Sequence, residues 1–104
     1  MSLVRVCGTS DVPEGEARRF PVGEKLVAIV NLGADGFRAI DAVCSHEHYF
    51  LDEGEVDPDL GTIECPKHGS TFDLETGNPR SLPAVTSVAV FDVKLENDDI
   101  LIEV

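Results

Sequence analysis

The stretch "KLVAIVNLGADGFRAIDAV", residues 25–43, decides the kind of fold this chain adopts. An apolar run at 26–30 leads to "GADG" at 33–36 and then to "FRAIDAV" at 37–43, where Phe37, Ala39, Asp41 and Val43 alternate with Arg38, Ile40 and Ala42. Alternation of period two puts successive side chains on opposite faces of a strand, and Asp35 followed by Gly36 is a favoured hairpin dipeptide. The stretch therefore predicts a β-hairpin. Working outward, "RRFPV" at 18–22 reads as a strand joined to the next by a tight turn at 23–24. "LVRVC" at 3–7 reads as another, with the Pro- and Gly-bearing "DVPEGEA" at 11–17 turning the chain after it. Towards the end, "TSVAVFDVKLE" at 86–96 and "DILIEV" at 99–104 read as strands around an "ENDD" turn. No helical periodicity is sustained anywhere, so the expectation is an all-β protein.

Residues 44–84 break this pattern. They hold four of the six prolines and most of the reactive side chains. The layout is a β-scaffold, interrupted and then completed, which suits a site carried on loops over a rigid frame. Within it, "DEGEVDPD" at 52–59 reads as a solvated acidic loop, since the D-x-[DN]-x-[DN]-G spacing of a calcium loop is absent.

A length of 104 residues fits one domain and suffices for a core without disulfides. The net charge of −12 argues against nucleic acid and anionic membranes, while permitting long-range steering towards a basic partner. There is no apolar run near the ~18 residues of a membrane span, and the first residues lack a secretory pattern. The three Cys are odd in number and not spaced as a secreted framework. The expected location is the cytoplasm, where paired thiols more often bind a metal than each other.

Five of the six Cys and His residues fall in "CSHEHYF" at 44–50 and "CPKHGSTFD" at 65–73. Cys44 and His46 are separated by one residue and Cys65 and His68 by two; 18 residues lie between His46 and Cys65, room for two strands and a turn. Zinc accepts two thiolates and two imidazoles, but structural zinc sites usually group like ligands. Here each short stretch mixes a soft thiolate with an imidazole, the combination a two-iron, two-sulfide cluster of Rieske type requires, with two Cys on one iron and two His on the other.

The motifs Cys44-Ser45-His46 and Cys65-Pro66-Lys67-His68, with "HGSTFDLETG" at 68–77 and "SLPA" at 81–84, resemble those of the Rieske ferredoxins, small electron carriers of bacterial ring-hydroxylating oxygenase systems. The resemblance implies a single Rieske domain over 1–104: an antiparallel β-sandwich base from 1–43 and 85–104, and a loop-rich cluster-binding insert at 44–84. It implies one [2Fe-2S] cluster held by Cys44, His46, Cys65 and His68, the cysteines on the inner iron and the histidines on the outer one, with the proline-bearing stretch at 81–84 covering it. It further implies a monomeric one-electron carrier, not an enzyme, filled by a flavin-containing ferredoxin reductase and drained by a terminal oxygenase. Only His48 remains after cluster ligation, so the chain cannot supply the two-His, one-carboxylate iron site of an oxygenase itself. Two other readings are a zinc-stabilised interaction module and, on the same fold, a nitrite-reductase small subunit; relatives of the latter kind often lack the four ligands that this chain keeps.

High-potential relatives carry a disulfide between the two ligand loops; Glu47 and Lys67 stand at those positions here. They also use a Ser and a Tyr to donate hydrogen bonds to the cluster sulfur and to a ligand thiolate. Ser70 keeps the first donor, and Phe72 replaces the second. Fewer donors place the expected potential at the low end of a range of roughly −150 to +300 mV. Elsewhere, His48 reads as a surface group, Cys7 as a small buried hydrophobe, and Gly69 and Gly77 as turn residues with positive φ. Tyr49, Phe50 and Phe72 are expected to shield the cluster or fill the insert's core, and Pro66, Pro79 and Pro83 to stiffen loops.

Overall fold

The structure, a computed structural model, describes residues 3–43, 49–66, 69–80 and 87–103. These form ten strands: β1 (Leu3–Gly8), β2 (Ala17–Val22), β3 (Lys25–Asn31), β4 (Phe37–Asp41), β5 (Val56–Asp57), β6 (Thr62–Glu64), β7 (Thr71–Asp73), β8 (Val90–Phe91), β9 (Val93–Glu96) and β10 (Asp99–Glu103). Among the described residues the only helical elements are short 3-10 turns, and no helix is long and apolar enough to cross a membrane. The strands build three antiparallel sheets, ordered β1-β10-β9, β2-β3-β4-β8 and β5-β6-β7.

The four-stranded sheet lies in the middle, and its side chains feed two apolar cores. Along β3, Val27 and Ile29 enter one core with Cys7, Val22, Ala39, Ile100 and Ile102, while Ala28 and Val30 enter another with Ile40, Ala42, Leu51, Ile63, Phe72 and Leu74. The first core joins the middle sheet to β1-β10-β9 and the second joins it to β5-β6-β7. A strand buried on both faces has no polar side, which is why 26–30 is uninterrupted. Burial of each Val or Ile here stabilises by about 1.5–3 kcal/mol. In 37–43 the two alternating sets serve different cores, Phe37 and Ala39 facing one and Ile40 and Ala42 the other.

The turn at 23–24 joins β2 and β3 in register, Val22 opposite Lys25, and Gly23 takes a φ of 62°. "GADG" is broader than a two-residue hairpin turn. It forms a 3-10 turn at Gly33–Asp35, closed by the Leu32 N–H donating to the Gly36 carbonyl at 2.8 Å. The stretch 86–96 is not one strand. Phe91 pairs with Ala39 in the middle sheet, whereas Val93 pairs with Ile102 in the outer one. The chain thus changes layers at Asp92, and both flanking side chains pack into the core between them. Nor is 52–59 a simple solvated loop: it contributes a 3-10 turn at Leu51–Glu53 and strand β5. Leu51 there is fully buried, and the Asp57 carboxylate accepts from the N–H groups of Asp59 and Leu60 to shape the next turn.

Candidate metal centre

Of the four ligands expected from the sequence, Cys65 is described and Cys44, His46 and His68 lie outside the described residues, as do His48, Glu47, Lys67 and Pro83. The flanks of all three stretches are defined. The segment 44–48 is entered at Val43 and left towards Phe50, which face each other in an antiparallel bridge. The Leu51 N–H donates to the Ala42 carbonyl at 2.7 Å, and the Asp41 carboxylate accepts from the Val43 N–H at 3.0 Å. The second stretch is closed at its base: the Cys65 N–H donates to the Ser70 carbonyl at 2.6 Å and the Gly69 N–H to the Cys65 carbonyl at 3.1 Å. Gly69 makes this reversal at φ 74°, as its sequence position suggests. The third stretch, 81–86, is tied below by the Val88 N–H donating to the Gly77 carbonyl at 2.9 Å.

These three closures share one core. Ala42, Leu51, Cys65 and Val88, two or three positions from the ends of the three segments, belong to the same apolar group. Loop closure thus brings residues far apart in sequence to one end of the middle sheet. Cys65 is 1% exposed and its thiol forms no disulfide. Ser70 and Phe72 beside it are fully buried. A soft sulfur donor that shares one apolar core with Leu51, Ile63, Phe72 and Leu74, where the flanks of the three stretches come together, fits a metal–sulfide group. Among the described residues no three Cys, His, Asp or Glu side chains cluster as a metal site. Cys7 lies in the other core, and burial and the nearby Asp11 charge push its thiol up to about 11, as suits an inert apolar filler.

Tyr49 is partly exposed, and Phe50 packs against the core beside the first closure. The Arg19 guanidinium, on β2, sits 3.7 Å from the centre of the Phe50 ring. It also lies 3.8 Å from the Asp52 carboxylate and 3.5 Å from that of Glu53. Asp52 is largely buried, and its Oδ1 receives no hydrogen bond from the described residues, so Arg19 meets it as a charge and not as a donor. Burial raises the Asp52 carboxyl above its ordinary range by more than Arg19 lowers it. Its ionisation therefore opposes folding. Fully protonated, below the unfolded value near ~3.9, it costs nothing on this account; the cost grows as pH rises through the raised folded value. In an Asp52→Asn variant, thermal stability relative to wild type should improve as pH rises from about 4. A difference that stays flat or reverses across that window would contradict this. Nothing in the sequence pairs residue 19 with residues 50–53, and the contact is visible only in the folded chain.

The described residues thus form an all-β scaffold in which the flanks of three loop stretches share one core with a buried thiol. The chain belongs to the Rieske [2Fe-2S] domain family, which it matches over residues 2–92. It is 36% identical over 103 residues to the ferredoxin component of biphenyl 2,3-dioxygenase from Rhodococcus jostii (strain RHA1), covering 99% of this chain and 94% of that one. In structure it is similar to the ferredoxin of carbazole 1,9a-dioxygenase from Nocardioides aromaticivorans IC177, with a TM-score of 0.91, 34% identity and coverage of 98% and 97% of the two chains. It is also similar, at a TM-score of 0.85 and 36% identity over 96% of this chain and 91% of the other, to a chain in the complex of reduced oxygenase and oxidized ferredoxin in carbazole 1,9a-dioxygenase. These relatives are ferredoxin components of dioxygenase systems rather than catalytic subunits, and membership of this family removes the ground for the zinc-module reading.

Proposed function

We propose that this protein is a one-electron carrier whose [2Fe-2S] cluster is held by Cys44, His46, Cys65 and His68. It works as a cytoplasmic monomer between a flavin-containing reductase and a terminal oxygenase acting on an aromatic ring. Residues 1–43 and 85–104 are its base and 44–84 its cluster-binding part. The observation that carries this reading is the meeting of the flanks of all three loop stretches in one core around the buried Cys65 thiol. When bound, the group supplies reversible one-electron storage. The chain's part is to exclude water on the sulfur side with Leu51, Phe72 and Leu74, and to hold Cys65 through the backbone bonds at 65–70. The test is a redox titration followed by rapid mixing of the reduced protein with a dioxygenase of the carbazole or biphenyl type. Uptake of one electron per chain and its transfer to the oxygenase is the expected result; no uptake would sink the reading.

Two further results follow. Phe72 is buried without a hydroxyl, so Phe72→Tyr introduces a donor near the sulfur ligands. A hydrogen bond that favours the reduced state by ~1 kcal/mol raises a one-electron potential by roughly 40 mV. Potentiometry showing no rise, or a fall, would count against the placement. The second concerns docking. Glu55, just before β5, and Glu64, at the end of β6, are joined by the Glu64 N–H donating to the Glu55 carbonyl at 2.8 Å, and with Asp57 they line one shallow concavity beside Arg80. Facing like charges repel, and a basic partner relieves them. Asp52 is instead largely covered and belongs to the Arg19 assembly, not to this face. Reduction by the partner should slow as salt rises, since screening shortens the reach of the attraction. A rate indifferent to ionic strength would exclude electrostatic docking.

A further inference from the structure

We propose that Arg19 is a positioning residue for the first ligand loop, fixing from the base the point at which the chain enters and leaves residues 44–48. The inference rests on the ligand assignment above. In the register of β2 with β3, Arg19 faces Ala28. Ala28, and Ala17 two residues before Arg19, both belong to the core shared with the insert. The face that β2 presents there is thus otherwise apolar, and Arg19 brings a charge to its edge. Its side chain is about a third exposed, at 32%, and its guanidinium lies over Phe50 at 3.7 Å.

Phe50 is half of the bridge with Val43 that closes the loop, and Leu51, next in sequence, makes the adjoining bond to Ala42. A ring held under a cation cannot tilt without losing that contact, so the base and the closure are mechanically joined. The planar guanidinium suits the place: one face lies on the ring while the edge points at Asp52 and Glu53, and a lysine ammonium offers no such plane. Asp52 bears this out from the other side. Its carboxylate is desolvated and opposes folding when ionised, and its presence is accounted for if it orients Arg19 over Phe50.

The experiment uses the cluster-loaded protein and three variants. Arg19→Met removes charge and plane while keeping the stem; Arg19→Lys keeps the charge alone. Ile102→Val, in the other core, loosens the fold far from the loop. Two quantities are read at temperatures equally far below each variant's own melting point: the rate at which a ferrous chelator strips iron, and hydrogen exchange at the Leu51 amide. Arg19→Met should lose iron at least tenfold faster than Ile102→Val, with Arg19→Lys between them, and its Leu51 amide should exchange faster while amides of β3 do not change. Equal iron loss in Arg19→Met and Ile102→Val would overturn the inference, as would a Leu51 amide exchanging as in wild type. If Arg19→Met does not fold, Arg19→Lys carries the same comparison. A wild-type protein that takes up no iron overturns the ligand assignment itself, a failure distinct from equal rates in an iron-loaded pair.

Discussion

Replacing Cys65 by Ala is expected to give a folded, colourless protein that holds no iron, where wild type holds about two irons per chain. The side chain is 1% exposed, at the base of a turn fixed by two backbone hydrogen bonds that do not involve it, so its removal leaves the loop's closure in place. The lost volume is one sulfur, and the resulting defect in the core is small beside a domain stability of roughly 5–15 kcal/mol. What is lost is the thiolate: Leu51, Ile63, Phe72 and Leu74 have no ligating atoms, and the neutral hydroxyl of the neighbouring Ser70 is a hard donor that does not replace a soft thiolate. Cys7→Ala is the matched control. Its thiol lies in the opposite core and is pushed up to about 11, so iron content should not change. Iron and acid-labile sulfide assays on the two variants read the difference directly. A Cys65→Ala protein that kept its iron would show that the buried thiol is only packing.

A large loss of stability is expected at Gly77. This residue has a φ of 79°, donates its N–H to the Asp73 carbonyl at 2.7 Å and accepts from the Val88 N–H at 2.9 Å. A Cβ added there would collide with the Val88 carbonyl, which is backbone and cannot swing away. Gly77→Ala therefore combines left-handed strain with a forced separation of 77 from 88, together on the order of 2–5 kcal/mol. Gly15 provides the comparison, with the same φ of 79° and nothing within 4 Å of an added Cβ. Gly15→Ala should cost only the strain, about 1–2 kcal/mol. Since ~1 kcal/mol moves the melting point of a domain this size by roughly 4–8 °C, Gly77→Ala should melt about 10 °C or more below wild type and clearly below Gly15→Ala. It should also lose iron sooner, because the tie it breaks closes the 81–86 stretch. Equal melting points for the two variants would refute the close approach.

The hairpin and its partners were legible in residues because short-range chemistry determines them: Gly23 turns β2 into β3, and the alternation in 37–43 assigns side chains to faces. The Cys-x-His and Cys-x-x-His spacings named a cofactor because few groups want that mixture. The same patterns were silent where tertiary contact decides. "VFDV" reads as one strand locally, yet it divides at Asp92 because two sheets compete for it. "DEGEVDPD" reads as solvated, yet Asp52 is drawn inside by the Leu51–Glu53 turn. Arg19 carries no signal at all, since its partners lie more than thirty residues away. Gly77 was recognisable as a turn residue by type, but its steric need comes from Val88, which only the closed loop brings near.

The central claim is mixed thiolate and imidazole ligation of a paired iron centre, and electron paramagnetic resonance of the dithionite-reduced protein tests it most directly. Two imidazoles on one iron predict a rhombic signal whose g-average lies below that of all-cysteine clusters, with weak couplings from two histidine nitrogens. A reduced sample with no signal, or with one of all-cysteine type lacking nitrogen couplings, would contradict the account.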